Sequence, residues 1–202
     1  MNKLIIIGAS GHGKVVADIA ALNGYKDIVF LDNDSGKKTC AGHPVLGPDT
    51  MTSELDGNVF VAVGNAEIRK KLMERDANRN FPVLIHPSAV IAESAEVGAG
   101  SVVMAGAVIN PGARIGKGCI INTSSSVDHD CMVGDYVHIS VGAHLSGTVV
   151  VGTGTWIGAG AIVSNNVEIC GECMIGVGAV VIKDIDESGT YVGVPARLKR
   201  DK

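Results

Sequence analysis

The chain has 202 residues, a formal net charge of −4, 27 glycines and only 3% aromatic residues. That length suits one large domain or two small ones, and the lack of any basic block excludes a nucleic-acid footprint. No apolar run is long enough to span a bilayer, the N-terminus lacks the pattern of a signal peptide, and the odd number of cysteines fits reduced thiols, so a cytoplasmic location is expected.

Residues 3–8 read as a buried strand that runs into the turn Gly8-Ala9-Ser10-Gly11-His12-Gly13. A helix is predicted over 14–23, with Val15, Val16, Ile19, Ala20 and Leu22 apolar and Gly24 as its stop. Ile28 to Leu31 reads as a second strand ending at Asp32-Asn33-Asp34, and Asn58 to Val63 as a third. A second helix starts near Ala66, with Asn65 as N-cap and Glu67 near its positive end. Strands alternating with helices through short links predict a small parallel α/β domain over residues 1–82.

The turn reads Gly-x-x-Gly-x-Gly, so the dinucleotide fingerprint Gly-x-Gly-x-x-Gly is not met. This argues against a nicotinamide-dependent oxidoreductase. What remains is a strand, a glycine turn and a helix whose N-terminus attracts phosphate, with Lys14 close by. A plain packing turn explains the same residues equally well.

From Ile85 an aliphatic residue falls on every sixth position through Ile91, Val97, Val103 and onward to Ile175 and Val181, seventeen times without a miss. Neither the helical period of 3.6 nor simple strand alternation produces such a series. A fixed short period means stacked repeats, each burying its apolar face on its neighbours. Glycine is frequent at the second and fourth places of the hexads, as at Gly98, Gly116, Gly134, Gly152, Gly142 and Gly160. Each hexad then makes one short strand and one corner, and three hexads close a triangular coil of 18 residues. The repeat occupies residues 83–186, and a tail over 187–202 leaves the period.

Cys170 and Cys173 form a C-x-x-C pattern that invites a redox or metal reading. Yet Cys173, Cys119 and Cys131 share the fifth hexad place with Ala107, Ala143 and Ala161. That place wants a small side chain, so packing is the favoured reading for these three.

His129 is the first candidate for chemistry. It takes the third place of its hexad, beside a corner and pointing outward, with Asp128 and Asp130 on either side. A carboxylate bonded to an imidazole sets its tautomer and raises its basicity, as a general base requires. A solvated surface histidine would look the same. His138 and His144 hold sixth places on adjacent sides, but the spacing fits no standard zinc pattern and no metal is expected. Trp156 stands 18 residues after His138 and Gly147 stands 18 after His129, so each lies one coil above its histidine.

These hexads, together with the tail Gly193-Val194-Pro195-Ala196-Arg197, resemble the left-handed parallel β-helix of the hexapeptide-repeat acyltransferases. Preceded by the Gly8–Gly13 turn, they are similar to the bacterial sugar O- and N-acetyltransferases of the sialic acid O-acetyltransferase type. Within that family the chain resembles the branch that acetylates UDP-linked 4-amino-4,6-dideoxy-N-acetylglucosamine in bacillosamine synthesis. The likeness runs from Leu4 to Arg197, and its most specific stretches are 8–13, 63–71 and 122–130.

The resemblance implies an acetyl-CoA-dependent acetyltransferase acting on a nucleotide-linked amino-dideoxy sugar, assembled as a homotrimer with active sites between subunits. It implies His129 as base and Asp130 as the carboxylate that orients it, one methylene shorter than the glutamate usual there. Ser10, Gly11 and His12 are expected to hold the diphosphate, and Asp32 and Asn33 the uridine end, Asn33 replacing a second aspartate. Gly64 is expected to close that pocket, and Asn122 to contact substrate. His138 is expected near the thioester of acetyl-CoA, and Gly147 to offer its backbone N–H to the thioester oxygen. Ala159 and Val177, with Gly142, are expected along the pantetheine path. Two other readings stand beside this one: O-acetylation of sialic acid or a related sugar, and a non-catalytic β-helix that binds a sugar nucleotide.

Overall fold

The computed structural model describes residues 3–200. The chain divides into two compact units, one ending at Pro87 and the other beginning at Ser88.

The first unit is a five-stranded sheet with two helices. Its elements are β1 (Lys3–Ile7), α1 (Gly11–Leu22), β2 (Asp27–Leu31), β3 (Thr39–Cys40), β4 (His43–Gly47), a 3-10 helix (Asp49–Glu54), β5 (Asn58–Val61) and α2 (Ala66–Arg75). The strand order is β3-β4-β2-β1-β5. β1 is parallel to both β2 and β5, with Ile5 opposite Val29 and Val59. A strand paired on both sides and covered on its faces has no wet side, which explains the unbroken run Leu4-Ile5-Ile6-Ile7, all buried. The β3–β4 hairpin and the 3-10 helix, rich in polar and turn residues, carry no clear periodicity and were not anticipated.

Helix α1 starts at Gly11, three residues before the predicted 14, so the glycine turn itself forms its first turn. Gly13 is the residue that permits this. A side chain there would collide with the Gly8 carbonyl and lie 3.2 Å from Phe30, so only hydrogen lets the helix settle onto β1 and β2. Asn65 caps α2 as expected, its side chain accepting the Ile68 N–H at 2.9 Å.

The second unit is a parallel β-helix of two-residue strands. Each strand pairs with the one 18 positions on, as Val108 does with Ser126 and Ser126 with His144. Three ladders result. Their inward columns are Ile91 to Val181, Val97 to Ile169 and Val103 to Ile175, the residues of the hexad series, and they form one continuous core. From Ser101 onward the fifth-place residues are buried between the columns. Cys119 and Cys131 each direct a thiol to a carbonyl one coil above, Gly134 and Ser146, at 3.1 Å. From position 100 to 178 the fourth places take left-handed backbone, by glycine at eight corners and by Ser124, Asp130, Tyr136, Thr148, Asn166 and Glu172 at the other six, Asp130 with φ 57°. The tail does not simply leave the coil: Thr190–Val192 continues one ladder beside Met174–Ile175 and then folds back on Arg197–Leu198. Among the described residues no helix is long and apolar enough to cross a membrane.

Candidate active site

In the first unit the expected substrate residues converge at the carboxyl ends of the parallel strands, where open α/β sheets place their ligands. The Gly8 N–H bonds Leu31 O and the Ala62 N–H bonds Ile7 O, both at 2.8 Å, so the glycine turn, Asp32 and the 62–64 segment share one edge. Ser10, Gly11 and Gly64 are exposed there.

Asp32 acts as a brace. Its carboxylate accepts from the Ala9 N–H at 2.8 Å, the Asp34 N–H at 2.9 Å and Lys37 Nζ at 2.9 Å. Burial pushes its pKa up, but those donors outweigh burial and hold it below the usual carboxylate range. Asn33 exchanges two hydrogen bonds with Asp49, at 2.7 and 3.1 Å. Both residues expected at the uridine end therefore already hold loops in place.

His12 is pushed down to about 4, first by burial and then by the nearby Arg69 guanidinium. Its imidazole is neutral at physiological pH, and its Nε2 is buried without a partner. Arg69 is itself buried and donates to Val63 O at 2.7 Å and Gly64 O at 2.9 Å. The positive charge beneath this turn comes from Arg69, a residue to which the sequence reading assigned no role although it lies within the 63–71 stretch.

In the second unit His129 stands at a corner, exposed, with Nδ1 2.9 Å from Asp130 Oδ2. The left-handed corner at Asp130 turns its carboxylate back toward the preceding ring. Aspartate tolerates that conformation better than most residues, so the shorter acid suits the corner. Because the carboxylate accepts, Nδ1 carries the proton and Nε2 keeps its lone pair in the neutral ring. The hydrogen bond that His129 donates to Asp130, with the charges of Asp128 and Asp130, outweighs desolvation and raises the His129 pKa above the ordinary histidine value.

Asp128 works on the other side. One of its oxygens accepts both Asn110 Nδ2 and the His129 backbone N–H, each at 2.7 Å, and these bonds hold its carboxyl below the usual range. Asn110 lies one coil below Asp128. The 18-residue offset that placed Gly147 would have found it, had it been applied to Asp128. Gly147 sits directly above the His129 ring: a side chain there would come within 2.6 Å of His129 Cε1.

His138 and Asn122 form a second cluster. Thr123 N–H donates to Asn122 Oδ1 at 2.8 Å, so the Asn122 amide donates to His138 Nε2 at 3.1 Å, and the His138 proton belongs on Nδ1. Trp156 pairs with His138 one coil above, as the spacing required. Ala159 and Val177 stack at the following corner, joined by Gly178 N–H to Ala159 O at 2.9 Å. This corner is a different one from that of His129. A single copy thus gathers His129, Asp130 and Gly147 at one corner, and Asn122, His138, Ala159 and Val177 along another, without bringing the two groups together. His144 joins neither and bonds Ser126 at 2.8 Å.

Residues 3–75 match the PglD N-terminal domain family. The acetyltransferase domain of PglB from Neisseria gonorrhoeae FA1090, solved in complex with acetyl coenzyme A, is 44% identical with a TM-score of 0.95, over 98% of this chain and 99% of that one. The chain belongs to the hexapeptide-repeat sugar acetyltransferase family. PerB from Caulobacter crescentus, in complex with CoA and GDP-perosamine, is 36% identical with a TM-score of 0.92 over 98% of this chain and 97% of that one. UDP-N-acetylbacillosamine N-acetyltransferase of Bacillus subtilis (strain 168) is 39% identical over 113 residues, a match spanning 52% of each protein. The β-helix is accordingly the left-handed kind of this family, a handedness the hexad spacing alone does not dictate.

The raised His129 pKa has a measurable consequence. If His129 is the base that the resemblance implies, it must be neutral to accept a proton, so kcat/KM is expected to fall as pH drops through a value above about 6.5, the unperturbed histidine pKa. Asp130→Asn removes the first cause of the shift, so its acid limb moves to lower pH while its plateau falls. An unchanged acid limb in that variant would show that His129 does not control the rate.

Proposed function

We propose that the protein transfers the acetyl group of acetyl-CoA to the 4-amino group of a nucleotide-linked amino-dideoxy sugar. The observation that carries this reading is the His129–Asp130 pair, poised with a free Nε2 lone pair beside the side-chain-free surface of Gly147. A protonated amine has no lone pair with which to attack a thioester. His129 Nε2 takes the amine proton as nitrogen attacks the carbonyl carbon, and the carbon–sulfur bond then breaks to release CoA. Asp130 holds the resulting imidazolium. Attack is direct, with no acyl-enzyme intermediate: Cys131, the cysteine nearest to His129 in the sequence, is buried with its thiol directed at Ser146 O.

The α/β unit holds the nucleotide, with the phosphates at the N-terminus of α1 over Arg69. Since His12 is neutral, affinity for phosphate comes from backbone N–H groups and the buried guanidinium. The ligands of the relatives support both substrates: acetyl-CoA in the Neisseria domain, and CoA with a GDP-linked sugar in the Caulobacter protein. The name of the Bacillus relative favours a UDP-linked acceptor; a role in building a bacterial surface glycan or glycoprotein is our own reading of such an acceptor.

The test is thiol release from acetyl-CoA with UDP- and GDP-linked 4-amino sugars and their 4-hydroxy counterparts side by side. Turnover with an amino sugar is expected. Activity confined to hydroxyl acceptors would replace this reading by O-acetylation, and no thiol release at all would leave a binding protein.

The working form is a homotrimer in the cytoplasm. Its support is the separation of the His129 corner from the Ala159–Val177 corner within one copy, which a neighbouring copy can close. Sedimentation is expected to give a trimer; a fully active monomer would overturn this.

A further inference from the structure

The packing rule that accounts for Cys173 does not account for Cys170. Four glycines in succession, Gly98, Gly116, Gly134 and Gly152, hold the second place along this corner of the β-helix. A side chain at each of them would come within 3 Å of backbone in the next coil. Cys170 is the next residue in that column and the first with a side chain. It is also the half-exposed member among five cysteines, the other four being buried. Its sulfur lies 3.4 Å from that of Cys173, across the two-residue corner Gly171-Glu172.

We propose that Cys170 and Cys173 are a reversible dithiol–disulfide site for low-molecular-weight disulfides of the glutathione kind. A disulfide needs sulfurs about 2 Å apart, and rotation of two side chains already in contact supplies the approach. Cys170, the accessible thiol, loses its proton to solvent and attacks one sulfur of the small disulfide. That S–S bond breaks, one small thiolate leaves, and a mixed disulfide stands on Cys170. Cys173 then loses its proton, attacks the Cys170 sulfur and expels the second small thiolate. Two electrons pass from the protein pair to the small disulfide, which ends as two thiols.

The two cysteines divide the labour by environment. Burial, and then the contact with Cys170, push the Cys173 thiol up to about 12. It resolves slowly, and faster as pH rises, because the thiolate is the nucleophile. Closing the bond removes the thiol proton that Cys173 directs at Gly171 O and Glu187 O, each at 3.8 Å. Tyr191 also bonds Glu187 O, at 2.8 Å. Oxidation therefore acts where the last coil meets the tail.

The experiment titrates the folded full chain with ratios of oxidised to reduced glutathione, quenches with acid, alkylates in denaturant and maps the peptides by mass. Cys170 and Cys173 are expected to lose alkylation together and to regain it with dithiothreitol, while Cys40, Cys119 and Cys131 stay alkylated. Cys173→Ser is expected to accumulate a glutathione adduct at Cys170 at least roughly tenfold faster than at any other cysteine, and Cys170→Ser to take none. Retention of both thiols under the most oxidising ratio, or oxidation only after unfolding, would overturn the proposal. The mapping on the unmodified sequence decides this even if a variant fails to fold.

Discussion

His129→Ala is expected to lower kcat by about 10²- to 10⁴-fold, the contribution typical of a positioned general base, with little change in acetyl-CoA affinity. The split follows from geometry. His129 is an exposed corner residue, and Ala159 and Val177, expected along the pantetheine path, lie at another corner, so deletion of the ring removes the proton acceptor and leaves that path intact. A second signature separates base removal from general damage. Without a base, only amine that has lost its proton to solvent reacts, so activity of the variant should climb with pH well beyond the plateau of the unmodified enzyme. Steady-state kinetics across pH, with calorimetry for acetyl-CoA, provide the check. Near-normal turnover in the variant would remove His129 from the reaction.

Gly147→Ala should be nearly as damaging, although it adds a single methyl. That methyl would lie 2.6 Å from His129 Cε1 and 3.1 Å from Cδ2, too close for contact, so the ring has to swing away. Swinging separates Nδ1 from Asp130 and moves Nε2 off the line of attack, and a misplacement of about 1 Å costs on the order of 10²-fold in rate. Thermal stability should hardly change, because an exposed ring moves into solvent without opening a cavity. Full activity in this variant would mean that the ring position in the resting enzyme is not the catalytic one. A large drop in melting temperature would instead mark Gly147 as a packing residue.

Much of the β-helix site was legible because its repeat is regular. Once an aliphatic recurs every sixth position and three hexads make a coil, the residue 18 places on must stack directly above. Gly147 over His129 and Trp156 over His138 follow from counting. The same arithmetic contains Asn110 below Asp128, which counting from the histidines alone overlooked. The first unit was less legible, since its strand–helix alternation sets an order but no coordinates. The bond of Asp32 to Ala9, 23 positions away, the pairing of Asn33 with Asp49, 16 positions away, and the burial of Arg69 near His12 join residues by no fixed interval.

The division is physical. Spacing governs anything repeated, so architecture, core columns and the stacking of one coil on the next were already present in the order of the residues. Side-chain direction and protonation depend on dihedral angles and on neighbours brought from elsewhere. Only the folded chain turns Asp130 through a left-handed corner onto its histidine, makes His12 neutral by burying it beside Arg69, and sets two sulfurs 3.4 Å apart at a place where every earlier coil has glycine.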